Sequence, residues 1–272
     1  MKFAFCTCVQ LGLSCIEAAV KSNFQFDLLI TLNDNKARNK SGRIFLDKIS
    51  EDNDIELLKI NHINDDVVVK TLKERGIDWL FIIGWSQIAN DLVLNAVHLG
   101  VIGAHPTLLP EGRGRASIPW AIIKGLDQTG VSFFKMDEGV DTGKILAQQT
   151  IPITERETAT SLYEKVNDAH VELFLNTLPQ LILGNYSLQI QDETRATYWE
   201  GRTPLDGEIK PEMSIEEVDR LVRATTHPYP GAFYIDDNGN KVIVWEGNYK
   251  ADSTNYINCA NGQYYLLKTD AL

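Results

Sequence analysis

Hydrophobic residues in the first half of the chain fall in short continuous runs, separated by segments with helical spacing. Runs typical of buried strands cover residues 2–9, 26–32, 55–60, 79–85 and 100–105. Helical spacing covers residues 13–22, 65–75 and 91–97. The polar segment 33–43 is predicted to be a loop that enters a short helix. Because strands alternate with helices, the pattern predicts an α/β fold with a Rossmann-like, doubly wound, mostly parallel sheet.

The middle of the chain continues with a helix, two strands and one long helix. Ser117 is the predicted N-cap of the first helix, and Gly125 is placed to end it. Two strands are predicted next, at 131–136 and 145–153. The long helix is predicted from about Thr158 to Leu183, and Pro179 should kink or interrupt it.

The pattern changes at residues 201–207, which are rich in Gly, Pro and Asp. A helix at 214–224 and β segments at 232–235, 241–249 and 264–268 follow. Asp237-Asn238-Gly239 is a hairpin turn signal between the first two of these β segments. We therefore predict an N-terminal catalytic domain at 1–200 and a small β-rich C-terminal domain at 201–272.

Composition and charge narrow the function classes. The chain has 272 residues, of which 44% are hydrophobic, enough to bury a full core. Its net charge of −11 argues against sequence-independent binding to nucleic acid and against binding to an anionic membrane. No run approaches the ~18 apolar residues of a spanning helix, and MKFAFCTCV is typical of a strand and not of a signal peptide. The predicted compartment is cytoplasmic.

The candidate chemistry lies between Val101 and Gly143. His105 ends a predicted strand, a loop with Pro, Gly and two arginines follows, and Asp137, Glu138 and Asp141 lie in an acidic loop. A histidine at the end of one strand and a carboxylate past a later strand can meet at the carboxyl edge of a parallel sheet, where such sheets bind ligands.

Other motifs are missing or weak. The first strand is followed by neither a G-x-G-x-x-G turn nor a Walker A lysine, so nothing indicates NAD or ATP. The nearest metal pattern, Asp168-Ala169-His170, is predicted on the solvent face of the long helix, and no metal site is predicted. Cys6 and Cys8 are predicted to be buried thiols.

Five separated stretches carry a family resemblance. They are His105-Pro106-Thr107-Leu108-Leu109-Pro110 with Arg113-Gly114, Gly130-Val131, Asp137 to Gly143, Gly201-Arg202-Thr203-Pro204, and Arg220 to Ala224 with Pro228 to Phe233. Together they resemble the folate-dependent formyltransferases, which move a formyl group from N10-formyltetrahydrofolate to an amine. The resemblance implies the formyltransferase fold and is strongest to the branch that formylates UDP- or dTDP-linked amino sugars for bacterial surface glycans. It also implies a possible homodimer.

In that family the catalytic groups are a His, an Asp and an Asn two residues before the His. The resemblance implies that His105 assists deprotonation of the amine and polarises the formyl oxygen, and that Asp141 orients His105. The position of the Asn is Gly103 here. A missing oxyanion donor typically costs ~3–4 kcal/mol in kcat, so we expect another donor, such as Asn90 or Gln87, to replace it.

The resemblance also implies binding residues. Those expected to contact the folate are Trp85, Gln87, Ile88, Asp137, Gly139 and Val140. Those expected to contact the nucleotide sugar are Thr107, Arg113 and Arg115, because an acidic protein must neutralise a diphosphate locally and Arg provides fork-like donors. Each of these residues also has a structural explanation that needs no ligand. Trp85 can be a core aromatic, Thr107 can cap its turn, and the two arginines can lie in a solvated loop.

Three other functions remain open. Loss of the Asn resembles the 10-formyltetrahydrofolate hydrolases, which keep His and Asp. Methionyl-tRNA is an alternative acceptor, although residues 201–272 hold seven Lys+Arg against eleven Asp+Glu, which disfavours an RNA acceptor. A folate-binding protein without activity is the non-enzymatic alternative.

Overall fold

The computed structural model describes residues 1–37, 42–250 and 254–271. The chain forms two compact units. Unit one comprises Met1–Arg113, Gly130–Ile151 and Val166–Tyr198, and unit two comprises Gly114–Thr129, Pro152–Lys165 and Trp199–Leu272. Each unit therefore draws on several separate pieces of the chain, and the boundary at residue 200 stays a prediction.

The helices and strands alternate through the first half of the chain. The helices are α1 (Gln10–Lys21), α2 (Asp34–Ala37), α3 (Asp47–Asp52), α4 (Asp66–Arg75), α5 (Asp91–Leu94), α6 (Ser117–Ile123), α7 (Ala159–Leu183) and α8 (Ile215–Thr225). The strands are β1 (Phe3–Cys6), β2 (Leu28–Leu32), β3 (Leu57–Ile60), β4 (Trp79–Ile82), β5 (Gly100–His105), β6 (Arg113–Gly114), β7 (Gln128–Lys135), β8 (Lys144–Pro152), β9 (Tyr198–Trp199), β10 (Ala232–Ile235), β11 (Lys241–Asn248), β12 (Tyr256–Cys259) and β13 (Gly262–Ala271).

A seven-stranded sheet with the order β3-β2-β1-β4-β5-β7-β8 organises unit one. Strands β1 to β5 pair with one another in parallel, which confirms the predicted mostly parallel Rossmann-like sheet. Strand β7 runs antiparallel to β5, so the sheet is mixed at this side. Strands β1, β2 and β4 are buried at every position, as expected for parallel strands covered on both faces.

Aromatic rings fill one part of the unit-one core. The ring centroids of Phe5 and Phe81 are 5.7 Å apart, and the ring of Phe174 from α7 lies 5.0 Å from that of Phe81. A second cluster of aliphatic side chains from β1, β2, β4, α4 and α5 includes Leu28 and Leu72. The predicted buried thiols Cys6 and Cys8 are confirmed. Among the described residues, no helix combines the length and apolarity required to cross a bilayer.

Several elements differ from their predictions. Helix α7 continues through Pro179 to Leu183, so it is not interrupted there. The other predicted outcome, a kink at Pro179, stays a prediction. Ser117 is the first helical residue and not the N-cap, which is Ala116 in a left-handed conformation. Gly125 ends the helix as predicted, with φ of 64°. Residues 38–41 of the predicted loop at 33–43 lie outside the described residues.

Unit two contains a four-stranded antiparallel sheet with the order β10-β11-β13-β12. Helix α8 starts with a capping box in which the Ser214 hydroxyl accepts from the Glu217 amide, and its apolar face packs on the sheet. The predicted hairpin turn is confirmed between β10 and β11, where Gly239 has φ of 85°. The edge strand β12 was not predicted, because its exposed positions Tyr256 and Asn258 leave little apolar signal.

The pattern Asp168-Ala169-His170 was predicted to face solvent, and for His170 this is wrong. The His170 side chain is buried, its Nδ1–H donates to the Val166 carbonyl oxygen at 2.7 Å, and its ring lies 6.0 Å from that of Phe133. Burial lowers the pKa of His170 to about 4, with a further lowering from the charge of His105.

Lowering the pH from 7 to 5 is expected to destabilise the protein through His170. The unfolded histidine takes up a proton below pH ~6.5, whereas the folded one stays neutral down to pH of about 4. Stability is therefore lost as the pH falls between these values, by about 2 kcal/mol at pH 5. Urea unfolding of the parent and of His170→Met at both pH values measures this. An equal loss in both proteins would contradict the assignment to His170.

Candidate functional site

His105 lies at the end of β5, where it pairs with Ser132 of β7. Its imidazole is buried, with Nε2 2.7 Å from the carbonyl oxygen of Gly112 and Nδ1 3.4 Å from Oδ2 of Asp141. Because a carbonyl oxygen only accepts, Nε2 carries a proton in this arrangement. The two residues predicted to be catalytic are therefore in contact within unit one.

The loop between β7 and β8 brings Asp141 to His105 by an unexpected path. Since β7 is antiparallel to β5, its last residue, Lys135, pairs with Ile102 and not with the end of β5. The prediction that both residues come from carboxyl ends of parallel strands is therefore wrong. The loop instead turns back towards His105, and Asp141 adopts a left-handed conformation with φ of 57°.

This pair can perform proton transfer and charge stabilisation. Both ring nitrogens of His105 face oxygen acceptors, an arrangement that suits an imidazolium ion beside the carboxylate of Asp141. An imidazolium can donate a proton to a leaving nitrogen and stabilise a developing oxyanion. The neutral ring can accept a proton from an attacking amine. The carboxylate fixes the ring and offsets its charge.

The segment after His105 is held by two polar side chains. The Ser132 hydroxyl donates to the Thr107 carbonyl oxygen at 2.7 Å and accepts from the Leu109 amide at 3.0 Å. The Gln148 amide donates to the Leu109 carbonyl oxygen at 2.9 Å. The Thr107 hydroxyl, predicted to contact the sugar, is buried and has no hydrogen-bond partner among the residues that the structure describes. Because a buried unsatisfied hydroxyl is costly, it is a candidate contact for a ligand.

The space beside Gly103 is narrow, and a side chain there would require Met136 and Phe134 to shift. A Cβ atom built there would lie 3.0 Å from both Met136 Cγ and Phe134 Cζ. The Gln87 side chain binds the loop after β3, since its oxygen accepts from the Ile63 amide at 2.9 Å and its nitrogen donates to the Asn61 carbonyl oxygen at 3.2 Å.

Asn90 caps α5, with its side-chain oxygen accepting from the Val93 amide at 3.2 Å. This bond uses the acceptor of the Asn90 amide and not its N–H donors. Replacement of the family's carboxamide by Asn90 or Gln87 therefore stays a prediction.

The segment predicted to bind folate, after β4, is anchored from the loop after β3. Asn64 donates to the Ile88 carbonyl oxygen at 3.0 Å and accepts from the Asn90 amide at 2.9 Å. Trp85 is half-buried and packs against Cys8 and Leu32, so the alternative of a core aromatic holds for part of its surface. The Ile88 side chain is 64% exposed. Sequence reasoning missed Asn64, since a single polar residue in a loop carries no pattern.

The other predicted folate residues form a compact turn. The Asp137 carboxylate accepts from the Gly139 amide at 3.1 Å and from the Thr142 hydroxyl at 2.6 Å. Val140 exposes 45% of its surface at the tip of this loop. A Cβ atom at Gly139 would meet the Thr142 hydroxyl, which explains the glycine. The Asp137 side chain thus shapes the loop that carries Asp141.

Arg113 is not the exposed phosphate ligand that the sequence suggested. Its side chain is fully buried and donates to Gln191 at 3.2 and 2.8 Å, to Glu193 at 2.9 and 2.5 Å and to Tyr198 at 2.8 Å. These partners raise the pKa of the Arg113 guanidinium further, with Glu193 the largest cause. Because the guanidinium is already committed, this geometry speaks against a substrate-binding role.

Arg115 differs from Arg113. It belongs to unit two, where its exposed side chain lies against Gly201. Among the described residues, no three or more His, Cys, Asp and Glu side chains are arranged to hold a metal ion.

Comparison with known proteins identifies the family of the chain. A family model described as formyl transferase matches residues 16–178, and one described as formyl transferase, C-terminal domain, matches residues 202–270. A 4-N formyltransferase from Francisella tularensis is 24% identical, with 89% of this chain and 96% of that chain covered and a TM-score of 0.71.

Two further solved structures are similar. The N-formyltransferase from Helicobacter canadensis, in complex with folinic acid and dTDP-3-aminofucose, is 18% identical over 99% of this chain and 100% of that chain, with a TM-score of 0.72. Methionyl-tRNA formyltransferase from Clostridium thermocellum is 18% identical over 99% and 97%, with a TM-score of 0.67. At these identities the likeness shows the fold, and the two family models cover most of the chain. The chain belongs to the formyl transferase family.

Proposed function

We propose that the protein transfers the formyl group of N10-formyltetrahydrofolate to the amine of a nucleotide-linked amino sugar. The observation that carries the proposal is the buried His105–Asp141 pair, with 3.4 Å between Nδ1 and Oδ2. The folds of the Helicobacter canadensis enzyme and this chain agree along their whole length, and that enzyme was solved with folinic acid and dTDP-3-aminofucose. Formylated sugars of this kind would serve bacterial surface glycans.

The reaction joins the amine nitrogen to the formyl carbon and breaks the bond from that carbon to N10. Neutral His105, with its proton on Nδ1 towards Asp141, would take at Nε2 the proton that the attacking amine loses, once the substrate has replaced the Gly112 carbonyl oxygen at that nitrogen. The resulting imidazolium, held by Asp141, would face the oxyanion of the tetrahedral intermediate and then return its proton to N10. Thr107 has a buried hydroxyl that no described residue binds, and we assign it to the acceptor substrate.

An RNA acceptor is disfavoured by charge. The net charge is −11, and residues 201–272 hold seven Lys+Arg against eleven Asp+Glu. RNA binding depends on neutralising phosphates with basic side chains. The diphosphate of a nucleotide sugar needs only a few local cations, and the exposed Arg115 remains available for this role.

A panel of acceptors tests the substrate class. With N10-formyltetrahydrofolate as donor, we expect formylated product with a UDP- or dTDP-linked amino sugar and none with initiator methionyl-tRNA. The matched control is the same nucleotide sugar with a hydroxyl in place of the amine. Product formation with the tRNA and not with any amino sugar, detected by mass spectrometry, would overturn the proposal.

Hydrolysis of formyltetrahydrofolate is the second candidate. The observation that favours it is the tight packing beside Gly103, where a Cβ atom would lie 3.0 Å from side-chain atoms of Met136 and Phe134. In lacking this carboxamide while keeping His105 and Asp141, the chain resembles the 10-formyltetrahydrofolate hydrolases. Folate consumption in the absence of any amine distinguishes water from an amine as the acceptor.

A further inference from the structure

Gln191 connects the loop of Asp141 to the buried Arg113. The residue follows α7 in a segment that pairs with β8 through a bridge between Ile145 and Gln189. Its side chain is buried, and Nε2 donates to the carbonyl oxygens of Asp141 at 2.8 Å and Gly143 at 2.7 Å. Both hydrogen atoms of the amide are thus used on one turn of the loop.

The other end of the same amide fixes its orientation. The Gln191 Oε1 atom accepts from Arg113 Nε at 3.2 Å and from Nη2 at 2.8 Å. Arg113 can only donate, so the oxygen of the amide must face it and the nitrogen must face the loop. The remaining donors of Arg113 bind Glu193 and Tyr198, which hold the guanidinium in place.

The loop requires such support. Asp141 has φ of 57°, a conformation that non-glycine residues keep only where the surrounding structure holds it. At Gly143 a Cβ atom would overlap the Lys135 carbonyl oxygen, so the chain passes close to the end of β7. Asp137 holds the loop from within by accepting from Thr142. Gln191 holds it from the other side, at the residue whose carboxylate meets His105.

We propose that Gln191 is a positioning residue, which keeps the Asp141 carboxylate against His105 by binding the Asp141 and Gly143 carbonyl oxygens. The inference rests on the proposed function, since it acts through the pair assigned to formyl transfer. Gln191 itself touches neither His105 nor a reacting atom. Its effect should therefore appear in the rate of the chemical step and only weakly in substrate binding.

Gln191→Glu is the selective test. The carboxylate keeps an acceptor for Arg113 but loses both donors to the loop and repels the two carbonyl oxygens. We expect kcat to fall about tenfold to a hundredfold, with little change in KM for either substrate. Gln189→Glu is the matched control, because it adds the same charge two residues earlier at an exposed position, and it should keep the parental kcat. Gln191→Met removes the same two hydrogen-bond donors without adding a charge.

Two readouts separate positioning from a general structural role. In an Asp141→Asn background, Gln191→Glu should lower kcat less than about twofold, because the group it positions is already gone. Hydrogen exchange of the peptide 137–144 should be faster in Gln191→Glu and Gln191→Met than in Gln189→Glu. An equal fold loss in both backgrounds, or parental exchange and kcat, would overturn the inference. Parental protein without turnover would refute the proposed function, while the exchange measurement would still decide whether Gln191 holds the loop.

Discussion

His105→Ala is expected to lower kcat about a thousandfold, the middle of the range for loss of a general acid–base group with its charge stabilisation. The imidazole is buried between the Gly112 carbonyl oxygen and Asp141. Asp141, the other member of the pair, cannot take over both proton transfers of His105. Steady-state kinetics with the formyl donor and the amino sugar measure the loss. Folate binding should persist, since the expected folate contacts lie elsewhere.

The control for this variant is His98→Ala. His98 pairs with Asp78, and its side chain is 64% exposed, so its removal should leave kcat within about twofold of the parental value. A His105→Ala protein that is folded by circular dichroism and retains a tenth of the parental kcat would exclude His105 as the proton-transfer group.

Arg113→Lys is expected to destabilise the protein by about 2–3 kcal/mol, although the charge is kept. Lysine cannot reproduce the planar fork that serves Gln191, Glu193 and Tyr198 together. The buried amide oxygen of Gln191 would lose its donors, which costs about 1–3 kcal/mol. The pair with Glu193 adds less than a fully buried ion pair, because the Glu193 side chain is 66% exposed. Urea unfolding measures the change.

Arg115→Lys provides the comparison, two residues further along the same loop. Its exposed side chain should allow the substitution with less than about 0.5 kcal/mol of change. If Arg113→Lys instead left the unfolding midpoint unchanged and weakened binding of a nucleoside diphosphate, the structural role of Arg113 would be wrong and the role suggested by the sequence would be restored.

The sequence predicted the parallel part of the sheet because its strands are buried on both faces. Continuous apolar runs such as the one in β4 have few other structural solutions. The direction of β7 was not predictable from such a run, because this antiparallel strand is buried at residues 129–134 in the same way as the parallel strands. The continuation of α7 through Pro179 was not predictable from the sequence, because Pro removes a backbone donor inside the helix and only the packing of the fold can offset that loss.

The predicted His105–Asp141 pair is present in the structure, whereas the surrounding network could not be read from the sequence. Arg113 in a loop has the same pattern whether it binds a ligand or is buried, and only its contacts with Gln191 and Glu193 decide the matter. Gln191 lies 50 residues from Asp141 along the chain. No local periodicity connects positions so far apart, so this contact requires the fold.

The most direct test of the account is the consumption of N10-formyltetrahydrofolate with and without an amino-sugar acceptor. If His105 and Asp141 serve formyl transfer, the donor is consumed only when the amine is present, and one formylated sugar forms for each tetrahydrofolate released. Equal consumption without the amine, with formate as the product, would contradict the account and assign the site to hydrolysis.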